Sequence, residues 1–291
     1  MGTADIIPGV SGGTMALILG IYQQLIEAIR SFDLQWLRSL LYLDIRNMAA
    51  RPHFAFLIPL LAGIAAALLF FTRVVPLPYL IEHYPEPVYG LFFGLILGSI
   101  VILIREFERD RIGWLFLLLA TILGWWVFNL VPAETPDAGW FIFISGALAI
   151  SAMLLPGISG SFILLLLKKY AYIFAAIGAA DFSVIVPFAL GMLAGLIAFS
   201  RLLSWLLRHY YRQALAAIIG LLVASLWVIW PYQQRVFAHV GDRQKLVSVT
   251  PAWPEVWTGM TILAVIMIIT GFVAVLVLNH MARNGSAVSG R

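Results

Sequence analysis

Pro8-Gly9-Val10-Ser11-Gly12-Gly13-Thr14 is answered 148 residues later by Pro156-Gly157-Ile158-Ser159-Gly160-Ser161, each set in an otherwise apolar stretch. Proline and glycine together break a helix, and in a hydrocarbon core the backbone N–H and C=O groups so released find no water. Such a break is tolerated only where it lines a polar cavity or is buried in protein. Two copies in one chain point to a transporter built from two repeats.

The surrounding composition agrees. Of the 291 residues 62% are hydrophobic and 11% charged, where soluble domains average about 45–50% and 25%. Stretches 54–71, 88–104, 114–131, 184–199, 214–230 and 256–278 carry almost no charge and approach the roughly 20 residues that cross a bilayer. The expected fold is an all-α polytopic membrane protein with six spans. No cysteine is present, which excludes disulfides, thiolate metal sites and cysteine nucleophiles. The N-terminus enters the first motif almost at once, without a basic region or cleavage site, so no cleaved signal peptide is expected. The pI near 9.5 reflects basic residues at span ends, whose expected role is orientation rather than nucleic-acid binding.

The repeat extends well beyond the motif. At the same offset Leu17, Leu19, Tyr22, Ala28, Ile29 and Asp33 fall on Leu165, Leu167, Tyr170, Ala176, Ile177 and Asp181. At an offset of 128, Pro59, Gly63 and Arg73 land on Pro187, Gly191 and Arg201, and at 126, Tyr84, Gly94 and Ser99 land on Tyr210, Gly220 and Ser225. The first repeat therefore carries 20 additional residues, about 34–53. There Leu34, Leu37, Leu41, Ile45 and Met48 recur at helical spacing with Arg38, Arg46 and Arg51 among them, the pattern of an amphipathic helix on the membrane surface. Residues 1–135 and 136–291 form the two repeats, each a broken-helix hairpin followed by three spans.

The helix after the first motif, residues 14–29, is about 24 Å long, short of the roughly 30 Å core, so a re-entrant hairpin fits better than full crossings. Residues 140–155 form the descending arm of the second hairpin; its counterpart in the first repeat would lie mostly before Met1, which predicts a late start or a shortened hairpin. Three spans per repeat turn the second repeat upside down relative to the first. With the segment 30–51 cytoplasmic, most of the 18 Lys and Arg residues fall inside, and Arg73, Lys168, Lys169, Arg235, Arg243 and Lys245 remain outside. Both termini then face the cytoplasm.

Consecutive N–H groups of a glycine-rich turn make a partly positive concavity suited to an oxyanion such as phosphate or carboxylate. Gly12, Gly13 and Gly160 supply the turns, and Ser11, Thr14, Ser159 and Ser161 add hydroxyl donors. The competing reading is that the motifs only turn a hairpin or let helices approach closely. Arg73 and Arg201 each follow an apolar run and a Thr or Ser; they are either headgroup-binding residues on opposite faces or side chains that snorkel to the interface. Asp5, Glu27 and Lys168 are candidate accessory or proton-coupling groups, with capping, pairing and snorkelling as the plainer alternatives; Lys169 shares the ambiguity. His53, His83, His209, His239 and His280 have no metal-ligand spacing, and no Ser-His-acid cluster is suggested. Neither an enzyme nor a bound cofactor or metal is expected.

Ala4-Asp5-Ile6-Ile7-Pro8-Gly9-Val10-Ser11-Gly12-Gly13-Thr14-Met15-Ala16 with Gly20-Ile21-Tyr22, and Leu155-Pro156-Gly157-Ile158-Ser159-Gly160-Ser161-Phe162, resemble the paired motifs of the bacterial polyprenyl-phosphate transporter (PopT) family. The likeness runs along nearly the whole chain. It implies translocation of undecaprenyl phosphate, the lipid carrier of cell-wall precursors, from the outer to the cytoplasmic leaflet of the bacterial inner membrane. Two departures stand out: the upstream half of the first hairpin is largely absent, and Lys168-Lys169 replaces Gly20-Ile21. Independently of the resemblance, a lateral groove with an anion site would suit a phosphate whose tail stays in lipid. A secondary transporter of a small soluble anion or ion, using the same hairpins around an enclosed cavity, is the alternative.

Overall fold

The computed structural model describes the chain except residues 6–10, 33–34, 37–38, 40–41, 43, 45–51, 108–109, 241–242, 255 and 290–291, together with the side chains of residues 5, 78, 106, 234–240, 243–250 and 282–289. The expected surface helix over 34–53 and the tip Pro8 to Val10 fall largely or wholly outside the described residues. The helices, in chain order, are α1 (Gly2–Asp5), α2 (Gly12–Ile18), α3 (Tyr22–Arg30), α4 (Phe54–Arg73), α5 (Leu77–His83), α6 (Pro85–Glu106) and α7 (Arg111–Phe128). They continue with α8 (Gly139–Leu154), α9 (Gly160–Leu166), α10 (Tyr170–Gly178), α11 (Phe182–His209), α12 (Tyr211–Val228) and α13 (Gly259–Ser289). Six of them, α4, α6, α7, α11, α12 and α13, are long and apolar enough to cross a membrane. The chain is a multi-pass membrane protein.

One element is not helical. Strands β1 (Gln233–Val240) and β2 (Arg243–Pro251) pair antiparallel between α12 and α13, with a bulge at Val236/Phe237. The base of this hairpin is pinned to the end of α12: the Ala252 N–H donates to the Tyr232 carbonyl at 2.9 Å and the Trp230 indole donates to the Ala252 carbonyl at 2.8 Å.

Helix packing repeats itself across the two halves. Helix α6 lies along α13 and α12 along α7, so the second span of each half pairs with the third span of the other. Small residues allow this closeness. A Cβ added at Gly94 would lie 2.0 Å from the Ile268 carbonyl oxygen, and one added at its repeat mate Gly220 would lie 2.3 Å from that of Leu117. Both pairs run in the same direction: Gly90, Gly94 and Gly98 face Ala264, Ile268 and Phe272 in ascending order, and Gly220 and Ala224 face Leu117 and Gly124. Between the pairs lies the main core, where Ile96 of α6, Ile219 and Leu222 of α12, Leu203 of α11 and Ile26 of α3 are buried.

The breaks between α2 and α3 and between α9 and α10 share one backbone geometry. Leu19 (φ −82°, ψ 0°) is followed by Gly20 at φ +70°, and Leu167 (φ −82°, ψ 1°) by Lys168 at φ +53°. In each copy the next two N–H groups turn back to carbonyls three and five residues earlier, Gly20 to Leu17 and Ile21 to Ala16, Lys168 to Leu165 and Lys169 to Leu164. This is the Schellman ending of a helix, which places its C′ residue in the left-handed region. Past the break, α10 leaves α9 at 104°.

Two substitutions test the glycine contacts. Gly94→Ala and Gly220→Ala should each lower stability by about 1–3 kcal/mol through overpacking against backbone. Gly63→Ala, where nothing lies within 4 Å of the added Cβ, should be neutral or stabilising by about 0.5–1 kcal/mol. Thermal unfolding in detergent reads all three.

Candidate functional site

Helix α8 has 16 residues, about 24 Å, and ends within the protein, so its last carbonyls need internal donors. The first motif supplies them. The Tyr22 hydroxyl donates to the Leu154 carbonyl at 2.8 Å and the Ser11 hydroxyl to that of Met153 at 3.4 Å. In return the Gly157 N–H donates to Thr14 Oγ1 at 2.8 Å. Ser11 also caps its own helix, accepting from the Gly13 N–H at 3.1 Å. Ser11, Gly12, Gly13 and Thr14 are all buried, and Gly13 packs within 3.4 Å of the Met153 and Leu154 carbonyls as its Cβ position is measured. The duplicated motifs therefore meet and lock. The Gly13 and Gly157 N–H groups are spent on that lock rather than presented to a ligand.

The second motif is not a copy of this arrangement. Ser161 and Phe162 occupy the places of Gly13 and Thr14, so the reciprocal cap is chemically impossible. Ser159 makes no side-chain cap to α9; its hydroxyl is 2.7 Å from that of Ser161, and both are half-buried. Gly160 sits against α8, where an added Cβ would be 2.7 Å from the Ala149 carbonyl oxygen.

Lys168 and Lys169 face the connection between α7 and α8. Lys168 pairs with Glu134, and Lys169, 2% exposed, pairs with Asp137 and donates to the Thr135 carbonyl at 2.9 Å. The Tyr172 ring lies 5.3 Å from the Lys169 ammonium, a cation–π contact. The Ala133 N–H donates to the Leu166 carbonyl and the Thr135 hydroxyl to that of Leu167. Both lysines thus hold residues 133–137 over the helix break. The Lys168 hydrogen bond and charge keep the Glu134 carboxyl below its ordinary value. That pairing is present above the ordinary Glu range and is lost as pH falls through the lowered value, with little effect on stability because both groups are exposed.

At the opposite end of α11 lies a basic recess. Glu27, Arg30 and Ser31 from the end of α3, His53 before α4, and Arg201, Trp205, Arg208 and His209 of α11 enclose about 650 Å³. Arg208 pairs with Glu27 at 3.4 Å and Arg30 donates to Ser204 at 3.3 Å. Among the described residues Arg201 has neither an ion-pair nor a hydrogen-bond partner. Of the residues singled out in the sequence, Arg201 and Glu27 come together here. Arg30, Arg208, His53 and His209 join them although the sequence marked them only as orientation charges or isolated histidines; their shared position at the ends of helices on one side was the available signal.

Arg73 stands elsewhere. It is the last residue of α4 and is exposed, whereas its mate Arg201 lies about two turns before the end of α11. The cause is local: Pro76 and Pro78 follow Arg73, and proline withholds the N–H that would continue a helix, so what is continuous in α11 is divided into α4 and α5. Asp5 closes α1, and its side chain lies outside the described residues.

Six membrane-length helices around two interlocked motifs, with a recess rich in arginine at one end, define a polytopic membrane protein. The chain belongs to the undecaprenyl phosphate translocase-like family, whose profile matches residues 1–247. It is 37% identical over 243 residues to the polyprenyl-phosphate transporter of Vibrio cholerae, covering 83% of this chain and 78% of that one. It is 32% identical over 250 residues to the polyprenyl-phosphate transporter of Staphylococcus aureus, covering 79% of this chain and 83% of the relative. No solved structure matches it.

The lock and the strap make separable predictions. Thr14→Val keeps the shape but leaves the Gly157 N–H unpaired, and should cost about 1–3 kcal/mol in a detergent melt. Lys168→Gly relieves a left-handed residue while losing an exposed ion pair, and should change stability by less than about 1 kcal/mol.

Proposed function

We propose that this protein moves undecaprenyl phosphate between the leaflets of the bacterial cytoplasmic membrane, acting as a transporter and not as an enzyme. The observation that carries the reading is Arg201, a guanidinium without a partner among the described residues, within a recess that also contains Arg30 and Arg208. A guanidinium offers two parallel N–H donors to phosphate oxygens, a contact that an ammonium cannot reproduce. The recess is open rather than enclosed, which suits a headgroup whose polyprenyl tail remains in lipid. Family membership and the names of both relatives point the same way.

The repeats, residues 1–135 and 136–291, are inverted in this proposal. Helix α7 returns from α6 after a short connection, and α12 runs alongside α7 in the same direction, so the repeat mates α6 and α12 point oppositely. The two broken helices are then re-entrant hairpins entering from opposite faces. The basic recess faces the cytoplasm together with both termini, in keeping with the positive-inside bias, and the Lys168–Glu134 pair faces outward. Arg73 attracts the headgroup to the outer side, and Arg201 receives it on the inner. Ser11, Gly12, Gly13 and Thr14 build the partition, while Ser159, Gly160 and Ser161 line the passage. Glu27, in contact with Arg208, is the candidate coupling acid; Asp5 and Lys168 are accessory.

Leaflet-resolved measurement of undecaprenyl phosphate in proteoliposomes tests this. Arg201→Ala should reduce translocation at least about tenfold, equivalent to one lost charge-assisted contact, with Arg201→Lys restoring only part. Arg73→Ala should also be defective. Near-normal transport by all three variants, or movement of a soluble anion while undecaprenyl phosphate stays in its leaflet, would refute the proposal.

A further inference from the structure

At the end of the bundle opposite the basic recess, two further recesses share a wall. One, of about 250 Å³, is polar on one side: Tyr89, Asn129, Ser161 and Gln233 line it. The other, of about 730 Å³, is almost wholly apolar and is walled by Phe93, Trp125, Trp227, Trp230 and Trp253. Trp227 and Pro251 belong to both. The pair has the outline of a single amphiphile, a small polar head beside a long apolar tail.

Indole rings at a membrane interface ordinarily face outward as an aromatic belt. Here they form a concave wall. Trp125 and Trp227 meet edge to face at 6.3 Å, Phe93 and Trp230 at 5.3 Å, and Trp230 and Trp253 at 5.2 Å. Trp253 is 78% exposed, Trp125 48% and Trp227 43%, so their faces are available to an incoming chain. The base of the β-hairpin roofs the groove through Pro251 and Ala252, and the Trp230 bond to Ala252 fixes that roof.

The polar chamber is equipped for an oxyanion without competing for the tip lock. The Ser161 hydroxyl lines it and takes no part in that lock; Ser159, 2.7 Å from it, stands behind. The Asn129 and Gln233 side-chain amides each donate one N–H to a helix-end carbonyl, of Trp125 and Val228 respectively, and each amide carries a second N–H.

We infer that the tryptophan-walled groove binds the polyprenyl chain of the transported lipid, with its phosphate in the Ser161 chamber, as the loading site on the face opposite the basic recess. The inference rests on the function proposed above. A polyprenyl chain is a row of flat trisubstituted alkenes, whose faces and methyl groups pack on aromatic rings, and its single-chain monoester matches one groove joined to one small chamber.

The test uses the purified full chain and a polyprenyl phosphate carrying a diazirine within its tail. Photolabel should fall on α7, α12 or residues 251–253, and should be competed by undecaprenyl phosphate but not by dipalmitoyl phosphatidic acid. Trp227→Ala combined with Trp253→Ala should weaken probe binding about tenfold, measured below the double variant's own melting transition because these rings also pack on Trp125 and Trp230. Equal competition by phosphatidic acid, labelling elsewhere, or unchanged binding in the double variant would overturn the inference. Translocation is followed on the same preparation: if it persists with the label elsewhere, the groove alone falls, and if wild-type protein translocates nothing, the function proposed above falls with it.

Discussion

A helix that ends inside a membrane protein leaves carbonyls and N–H groups that no water will satisfy. Here α8 ends at Leu154, and its release groups are taken up by the other copy of the same motif: Tyr22 and Ser11 donate to Leu154 and Met153, and Thr14 accepts from Gly157. The lock joins residues more than a hundred positions apart, and it makes the two halves of the chain interdependent. Exchange of helix partners, α6 with α13 and α12 with α7, repeats that dependence in the spans. Neither half could keep its packing without the other.

The departures from twofold likeness are where chemistry appears. Where Thr14 caps Gly157, Phe162 can cap nothing, and Ser161 lines a small chamber instead. Where Pro76 and Pro78 stop α4 at Arg73, α11 runs on past Arg201 and carries Trp205, Arg208 and His209 to the end of α3. The Schellman break keeps one backbone in both halves but places glycine at one and Lys168 at the other, and that lysine reaches Glu134. A symmetric frame thus carries two unlike ends, one basic and open, the other clamped by lysine pairs and roofed by a β-hairpin.

Much of the frame was legible because it follows from period and spacing. Membrane-length apolar runs, the close helix contacts at Gly94 and Gly220, and the interruption between α8 and α9 at the second motif all correspond to local features of the described structure. The site was less legible. Arg201 and Glu27 were singled out separately, but their meeting depends on α3 packing against α11, elements far apart in the chain. Arg30, Arg208, His53 and His209 look like ordinary charges at helix ends until that packing is known. The strands were missed for a different reason: Arg235-Val236-Phe237-Ala238-His239-Val240 does contain alternation, yet in so apolar a chain a short period-two stretch is outweighed by the long helical runs beside it.

The absence of native cysteine permits a direct test of whether the two unlike ends face opposite sides of the membrane. Glu134→Cys and Arg208→Cys, at side chains 85% and 54% exposed, can be labelled with a membrane-impermeant maleimide in right-side-out and inside-out vesicles. Two locked repeats of opposite orientation predict that Glu134→Cys reacts only from outside and Arg208→Cys only from inside. Labelling of both positions from the same side would contradict the inverted arrangement and, with it, transfer of a headgroup from one end of the bundle to the other.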